Sequence, residues 1–260
     1  MKTKRITSLE VAKLAGVSQS AVSRVFTPAA SSSKKTNELV RKVAAELGYR
    51  PNILARSLIT GKTRIIGLVV AYLDNYFYPG ALELISSALQ KKGYHVLIFM
   101  SGNKEGDIAN AVDEILDYQV DGIIAASVSM SSDLANRCAS AGVPVVLFNR
   151  TQDDERLSAV TSDNLLGGQK VASFLLAGGH ERIGYIAGWE GASTQRDREK
   201  GFKDELKRSG HKLYARELGN FNLDEARQAA RNMFSKKDFP DAVFIANDAM
   251  AIAVIDVIRF

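Results

Sequence analysis

Two patterns of apolar and polar residues divide the chain near residue 60. The first part carries apolar residues three or four positions apart, as amphipathic helices do, whereas the second part carries short continuous apolar runs separated by helical stretches. Continuous apolar runs indicate strands that are buried on both faces, and strands that alternate with helices indicate a parallel sheet. The pattern therefore predicts an α/β fold, with two sheets, that follows a small helical domain.

The second part contains six predicted strands and seven predicted helices. The strands lie at residues 65–71, 96–100, 122–126, 143–148, 183–187 and 242–245. The helices carry apolar residues at Leu82/Ile85/Leu89, Ile108/Val112/Ile115, Leu134/Cys138, Val171/Phe174/Leu175, Phe202/Leu206, Ala226/Ala230/Met233 and Met250/Val254/Val257. This recurring order of strand and helix is the order of a doubly wound sheet.

The first part begins with two short helices joined by a glycine turn, within residues 6–28. Thr7 lies three residues before Glu10, which is the spacing of a capping box, and Gly16 ends the first helix. The apolar stripe of this helix is predicted at Val11, Leu14 and Ala15. Ser18 is placed to cap the second helix, so the stretch predicts a helix-turn-helix.

The outward face of the second helix suggests what this motif binds. Ala21, Val22 and Val25 are predicted to face the first helix, whereas Gln19, Ser20, Ser23 and Arg24 point outwards. The major groove of DNA admits one α-helix, and its base edges pair with Arg, Gln and Ser side chains. Arg24 is the expected reader of a guanine. The alternative is that both helices belong to an ordinary helical bundle.

Charge favours the DNA-binding interpretation. The chain carries a formal net charge of +5, yet residues 1–64 alone hold 13 Lys and Arg against 3 Asp and Glu. The remainder is therefore acidic, and a basic first part on an acidic second part is typical of a protein that binds phosphates. A third helix, with Leu39, Val43 and Leu47 on one side and Gly48 as its stop, completes the predicted domain.

Several motifs of the first part resemble the headpiece of the lac and galactose repressor family. They are Val11-Ala12, Ala15-Gly16-Val17-Ser18, Val22-Ser23-Arg24-Val25, Leu47-Gly48-Tyr49-Arg50-Pro51-Asn52 and Ala55-Arg56-Ser57-Leu58. The resemblance implies a DNA-binding headpiece at residues 1–59, with a hinge helix at 51–59 that folds when two copies pair on DNA. Thr27 stands where the family usually has Asn, and Asn37 where it usually has Arg.

The resemblance also implies which residues contact DNA. These are Thr7, Ser18, Gln19, Ser20, Ser23, Arg24, Asn52, Arg56 and Leu58. Leu58 falls at the position that wedges into the minor groove and kinks it. The alternative for Leu58 is a linker residue that packs on the rest of the protein. Gly61-Lys62-Thr63 is not a phosphate-binding loop, because Arg56 stands where that loop needs its first glycine.

Polar and aromatic residues follow the predicted strands and suggest a ligand site. Ligands of open parallel sheets bind beyond the carboxyl ends of the strands. The residues found there are Asn75-Tyr76-Phe77-Tyr78, Asn149-Arg150, Trp189 with Arg196 and Arg198, and Asn247-Asp248. Aromatic faces, amides and guanidinium groups suit a hydroxyl-rich ligand such as a sugar. Alternatively each residue is a loop or cap residue, with Asp163 and Asp248 capping helices.

Residues 60–260 also resemble the effector core of these repressors and the periplasmic sugar-binding proteins. The resemblance lies in Ser162-Asp163-Asn164-Leu165-Leu166-Gly167-Gly168, in Gly191-Ala192-Ser193 with Arg196-Asp197-Arg198 and Gly201-Phe202, and in Ala246-Asn247-Asp248 with Met250-Ala251. It implies a two-subdomain core whose cleft is lined by Phe77, Asn149, Arg150, Asp163, Arg198 and Asn247. Family members continue beyond the helix that holds Phe260, so the second subdomain is expected to be incomplete.

These observations narrow the possible functions. An enzyme that uses nucleotides needs a glycine-rich loop after the first strand, but residues 69–75 contain no glycine. The three histidines have no partners at metal-ligand spacing, and we expect neither metal nor cofactor. Cys138 is expected to be a small core residue in a reducing compartment. No secretory signal precedes the helix-turn-helix, so a sugar-binding transport protein is disfavoured.

The sequence thus predicts a cytoplasmic transcriptional repressor controlled by a sugar or sugar derivative. It is expected to bind a pseudopalindromic operator as a homodimer, with a tetramer as the alternative, because two-fold protein symmetry mirrors such a site. No partnership with a membrane is expected, since no apolar run approaches the length of a membrane helix. A regulator that responds to a purine or another corepressor is the alternative function.

Overall fold

The computed structural model describes residues 6–27, 30–51, 61–71, 73, 75, 77–102, 105–128, 130–152, 156–235 and 237–259. Its contacts divide the chain into a first unit, Met1–Thr63, and a second unit, Arg64–Phe260. Asn52, Arg56 and Leu58 lie outside the described residues, as does the predicted hinge at 51–59 except for Pro51. Within the described part of the chain, no helix has the length and apolar character needed to cross a membrane.

The described part of the first unit is a three-helix domain, as the sequence predicts. Its helices are α1 (Ser8–Ala15), α2 (Gln19–Val25) and α3 (Lys34–Glu46). The α1 helix ends at Gly16, whose φ of 64° places it in the left-handed region that glycine tolerates best. The core consists of Val11, Ala12, Ala15, Val22, Val25, Val40, Val43 and Ala44.

Two residues of the predicted apolar stripes lie outside the buried faces of their helices. Leu14 is 61% exposed and Leu39 is 40% exposed. At 3.6 residues per turn, each lies roughly 90–100° around its helix from the centre of the buried face. On α1 the buried face consists of Val11, Ala12 and Ala15, and Ala12 lies on the opposite side of Val11 and Ala15 from Leu14. The predicted period was therefore right, but the stripe was rotated.

The second unit contains two parallel sheets. The first sheet has the strand order β2-β1-β3-β4-β5, and the second has the order β7-β6-β8. The strands of the first sheet are β1 (Ile65–Val70), β2 (His95–Met100), β3 (Gly122–Ala126), β4 (Val145–Phe148) and β5 (Ser158–Val160). Those of the second are β6 (Ile183–Ala187), β7 (Ala215–Leu218) and β8 (Ala242–Ile245).

Helices connect these strands in the predicted order. Those of the first-sheet side are α4 (Phe77–Lys91), α5 (Glu105–Asp117) and α6 (Ser132–Ser140). Those of the second-sheet side are α7 (Asn164–Ala177), α8 (Ser193–Arg208), α9 (Leu223–Phe234) and α10 (Asp248–Ile258). Cys138 is buried in the core beside the first sheet, as expected of a small apolar residue. Phe174, in contrast, was predicted on the apolar face of α7 but is 76% exposed.

Helices α7 and α8 approach each other closely through two glycines. A Cβ atom at Gly168 would lie 2.1 Å from the carbonyl oxygen of Arg198, and one at Gly201 would lie 2.0 Å from the carbonyl oxygen of Leu165. No side chain fits at such distances, so both positions require glycine. The crossing fixes the backbone of Arg198 against α7.

Candidate DNA-binding surface and ligand groove

The exposed side of α2 forms the candidate DNA-binding surface. Val22 and Val25 are buried against the other helices. Gln19, Ser20, Ser23 and Arg24, which we call the recognition face, are all exposed. This arrangement follows the predicted helical period, because residues on opposite sides of α2 separate into buried and exposed sets.

Thr7 and Ser18 hold the starts of the first two helices. Thr7 forms the predicted capping box, since its backbone N–H donates to Glu10 Oε2 at 2.7 Å and its hydroxyl accepts from the Glu10 backbone N–H. The Ser18 hydroxyl accepts from the Ala21 N–H at 3.2 Å. Both side chains thus have structural roles, and their contacts with DNA stay a prediction.

Replacing Thr7 with alanine is expected to destabilise α1 by about 1 kcal/mol, because the Glu10 N–H loses its side-chain acceptor. Amide hydrogen exchange in α1 should then quicken by roughly fivefold in the full chain. The control is Thr7→Ser, which keeps a capping hydroxyl and should exchange like the unmodified chain. Equal acceleration in both variants would show that the capping oxygen is not the source of the effect.

Further contacts attach the two ends of α2 to its neighbours. At its start, Gln19 Nε2 donates to Ser8 Oγ at 2.9 Å. At its end, Arg41 Nη2 donates to the Val25 carbonyl at 3.3 Å. The two positions that differ from the family pattern lie in the same region: Thr27 Oγ1 donates to the Ser23 carbonyl, and Asn37 Oδ1 accepts from Arg41 Nε. These contacts fix the position of α2, and so of the recognition face, relative to α1 and α3.

A groove of about 480 Å³ in the second unit is the candidate ligand site. It lies beyond the carboxyl ends of strands from both sheets, where ligands of parallel sheets bind. Its lining includes all six residues named from the sequence, which are Phe77, Asn149, Arg150, Asp163, Arg198 and Asn247. The structure brings these residues together, and their contacts with a ligand stay a prediction.

On the first-sheet side, the groove presents a polar amide beside aromatic rings. Asn149 Nδ2 donates to the Tyr78 hydroxyl at 2.8 Å and to Ser127 Oγ at 3.5 Å. Asn149 has a φ of 67°, a left-handed conformation that asparagine tolerates better than most residues. Phe77 is half exposed and stacks on Phe148, with ring centroids 5.9 Å apart. An amide and an exposed aromatic face are the groups expected around a sugar.

On the second-sheet side, Arg198 is held by two neutral acceptors. Its Nε donates to Asn164 Oδ1 at 2.8 Å, and its Nη1 donates to the Ala246 carbonyl. Burial lowers the pKa of the Arg198 guanidinium, which nevertheless stays charged because arginine is not deprotonated in proteins. The groove therefore contains a fixed cation that offers N–H donors to a ligand.

Asp163 and Asn247 cap the two helices that begin at the groove. Asp163 Oδ1 accepts from the Leu166 N–H at 2.9 Å, as its alternative role predicted. Asn247 Oδ1 accepts from the Met250 N–H at 2.8 Å, so the cap of α10 is Asn247 and not Asp248. Asn247 also lines the groove, and its Nδ2 group takes no part in that cap.

Arg150 joins the two sides of the groove. It is 3% exposed, and its guanidinium carbon lies 5.2 Å from the centroid of the Trp189 ring, a cation–π distance. The next residue, Thr151, donates its backbone N–H to Ser193 Oγ at 2.9 Å. Arg150 thus forms part of a contact between the exit of β4 and the start of α8, besides lining the groove.

Other residues that line the groove were not assigned from the sequence, among them Ser127, Asn164 and Phe221. Ser127 directly follows β3 and could have been found by applying the strand-end rule to every strand. Phe221 comes soon after β7, a strand that the sequence did not predict, and its φ of 57° is unusual for an aromatic residue. Asn164 carried no signal beyond its place in the family motif.

Comparison with protein families matches both units separately. The family described as "Bacterial regulatory proteins, lacI family" matches residues 7–52. The family described as "Periplasmic binding protein domain" matches residues 66–259, which is most of the second unit.

One related protein and two solved structures are similar over nearly the whole chain. The HTH-type transcriptional regulator CelR of Thermobifida fusca is 32% identical over 270 residues, covering 100% of this chain and 79% of that protein. A lac repressor dimer bound to operator and the anti-inducer ONPF superimposes with a TM-score of 0.88 at 27% identity, covering 98% of this chain and 78% of the other. A CelR–cellobiose complex gives a TM-score of 0.68 at 29% identity, with the same coverage.

Proposed function

This chain belongs to the lacI family of bacterial regulatory proteins, and we propose that it represses transcription from an operator until a sugar or sugar derivative fills the groove. It is a DNA-binding regulator with a small-molecule effector, and not an enzyme. The observation that carries the sugar assignment is a groove in which the guanidinium, amide, carboxylate and aromatic groups of six residues meet.

The recognition face supports DNA binding. Its side chains are exposed on a helix whose two ends are anchored, so contacts with base edges would not disturb the core. The other proposed contacts are Thr7, Ser18, Asn52, Arg56 and Leu58. One such helix reads too few base pairs for useful specificity, and two copies in a homodimer double the site.

The chemistry of the groove supports a hydroxyl-rich ligand. A sugar hydroxyl donates one hydrogen bond and accepts others, and the groove offers donors from Arg198 and Asn247 beside the aromatic face of Phe77. The volume of about 480 Å³ lies in the usual range of small-molecule sites. Because the similar regulator CelR was solved with cellobiose, a disaccharide is the first ligand to test.

We further propose that residues 1–59 act on DNA, with a hinge at 51–59, and that residues 60–260 bind the effector. A cytoplasmic location follows from this proposal, since the protein must share a compartment with its operator. The effector would act by population shift, because a ligand that favours one arrangement of the two sheets changes the population that binds DNA tightly.

A thermal-shift screen of the full chain tests the effector class. The panel contains monosaccharides, cellobiose and other disaccharides, sugar phosphates, polyols and purines. A ligand that binds only the folded protein at a hundredfold excess over Kd adds about 2.7 kcal/mol of stability. We expect a saccharide to raise the unfolding temperature of the second unit and to lower operator affinity in a DNA-binding titration.

Two other outcomes would change this proposal. A purine that stabilises the second unit and raises operator affinity would make the protein a corepressor-controlled regulator. Stabilisation by none of the compounds, in a chain shown to be folded, would contradict sugar control and leave the DNA-binding role standing.

A further inference from the structure

We propose that Asn164 is a positioning residue, which orients the Arg198 guanidinium for the effector and connects it to the segment that joins the two sheets. This inference rests on the proposed role of the groove as the effector site. It assigns a role to a side chain for which the sequence suggested none.

Every polar atom of the Asn164 side chain has a partner. Its Oδ1 accepts from Arg198 Nε at 2.8 Å, and its Nδ2 donates to Thr161 Oγ1 at 3.3 Å and to the Ser162 carbonyl at 2.9 Å. The residue is only 7% exposed. A buried amide with all of its groups paired is rigid, because each alternative rotamer would leave polar atoms without partners.

The chemistry at this position requires an amide. Arg198 Nε needs an acceptor, whereas the Ser162 carbonyl needs a donor, and a short side chain must supply both. A carboxylate would accept from Arg198 but would repel the Ser162 carbonyl, and an alanine would serve neither. Asparagine is the residue whose length and hydrogen-bonding groups satisfy both partners.

Asn164 and the helix crossing together determine where the charge of Arg198 lies. The glycine contact at Gly168 fixes the Arg198 backbone, and Asn164 and Ala246 fix its Nε and Nη1 groups. A guanidinium has five N–H donors. Among the described residues these two acceptors take two of them, which leaves the others for a ligand in a predetermined orientation.

Residues 160–162, which lead from the first sheet to α7, are hydrogen-bonded to both sides of the groove. Thr161 and Ser162 come directly after β5, whose last residue, Val160, accepts from the Asn149 backbone N–H at 2.8 Å. Asn149 is thus hydrogen-bonded directly to this stretch of chain, and Arg198 is connected to it through Asn164. A ligand that displaces the Arg198 guanidinium therefore also displaces Thr161 and Ser162, through the hydrogen bonds of Asn164. Effector binding can in this way change the position of the segment that connects the two sheets.

A ligand-free measurement tests the positioning directly. In the full chain, the Arg198 Nε–H resonance, identified by its loss in Arg198→Lys, should exchange slowly with water because it is bonded to Asn164. Asn164→Ala should make this exchange at least tenfold faster, as expected when a hydrogen bond to a charged group is removed. Asn232→Ala, on the exposed side of α9, is the matched control and should change nothing. Unchanged protection in Asn164→Ala would overturn the proposal.

A second variant covers the case in which Asn164→Ala does not fold. Asn164→Asp keeps the size of the side chain and its acceptor, so the Arg198 Nε–H should stay protected. Rapid exchange in Asn164→Asp would also overturn the proposal, because the acceptor would still be in place.

Cellobiose titration of the same variants tests the consequence for binding. Asn164→Ala should weaken binding by roughly tenfold in the unmodified chain, yet it should add nothing in an Arg198→Ala background, because it acts only through Arg198. Additive losses would mean a direct contact or a general structural role, and would overturn the proposal. If no saccharide binds the unmodified chain, the proposed sugar effector fails, while the Nε–H exchange still decides the positioning.

Discussion

Replacing Arg24 with alanine is expected to abolish the preference of this protein for its operator while leaving most of its binding to unrelated DNA. Arg24 is exposed on the recognition face, and an arginine paired with a guanine discriminates against other bases by about 1–3 kcal/mol. A homodimer uses two copies, so the specific affinity should fall by about 2–6 kcal/mol, which is roughly 30-fold to 20,000-fold. Binding to unrelated DNA comes mainly from phosphate contacts and should change little.

The operator for this measurement comes from selection of random duplexes with the unmodified protein. Titrations of the operator and of a scrambled duplex at several salt concentrations then separate the two kinds of binding. Lys42→Ala is the matched control, since it removes one exposed positive charge from α3 and not from the recognition face. Equal weakening on both duplexes by Arg24→Ala, with a smaller salt slope, would identify Arg24 as a phosphate contact.

Replacing Arg198 with alanine should weaken effector binding by at least about a hundredfold. The side chain supplies charge-assisted hydrogen bonds in a partly buried groove, and each such bond contributes about 1.5–3 kcal/mol. Calorimetric titration with the saccharide found by the screen measures the loss. Arg198→Lys keeps the charge but not the planar donors, so it should recover only part of the affinity.

Stability separates a binding role from a structural role for Arg198. The variant leaves Asn164 Oδ1 and the Ala246 carbonyl without this donor, so a modest decrease in the unfolding temperature is expected. Arg196→Ala removes a more exposed arginine of α8, paired with the adjacent Asp197, and should leave binding unchanged. A second unit that unfolds in Arg198→Ala at ordinary temperature would make Arg198 primarily structural.

The sequence predicts best those strands that consist of continuous apolar runs. All six predicted strands exist: β1, β3, β4 and β6 are central in their sheets, where burial on both faces favours such runs, and the edge strands β2 and β8 carry them as well. The strands β5 and β7 were not predicted. Both lie at sheet edges, where β5 is exposed throughout and β7 alternates between exposed and half-buried residues. The edge strands β2 and β8 were found because they are continuous apolar runs, whereas the polar residues of β5 and β7 interrupt any such run and leave only backbone pairing, which the sequence does not reveal.

The residues of the candidate groove were also predicted where the order of strands and helices places them, and missed where an element was missed. Its six predicted members follow strands or begin helices, so the order of elements alone brings them to one end of the fold. Phe221 was missed together with β7. The cap of α10 was assigned to Asp248 instead of Asn247, because the two neighbours have similar capping propensity and differ only in backbone conformation.

The left-handed backbone at Asn149 and Phe221 limits how the ligand preference of this protein is to be redesigned. A library that randomises the groove should return mainly asparagine, aspartate and glycine at position 149, since other side chains strain that conformation. At position 221 the strain comes from the Cβ atom and not from the ring, so only glycine, and in part asparagine or aspartate, would relieve it, and each of them removes an aromatic surface. Phe77 lies in a helix without such a constraint. It is therefore the position at which a new selectivity is obtained with the least loss of stability.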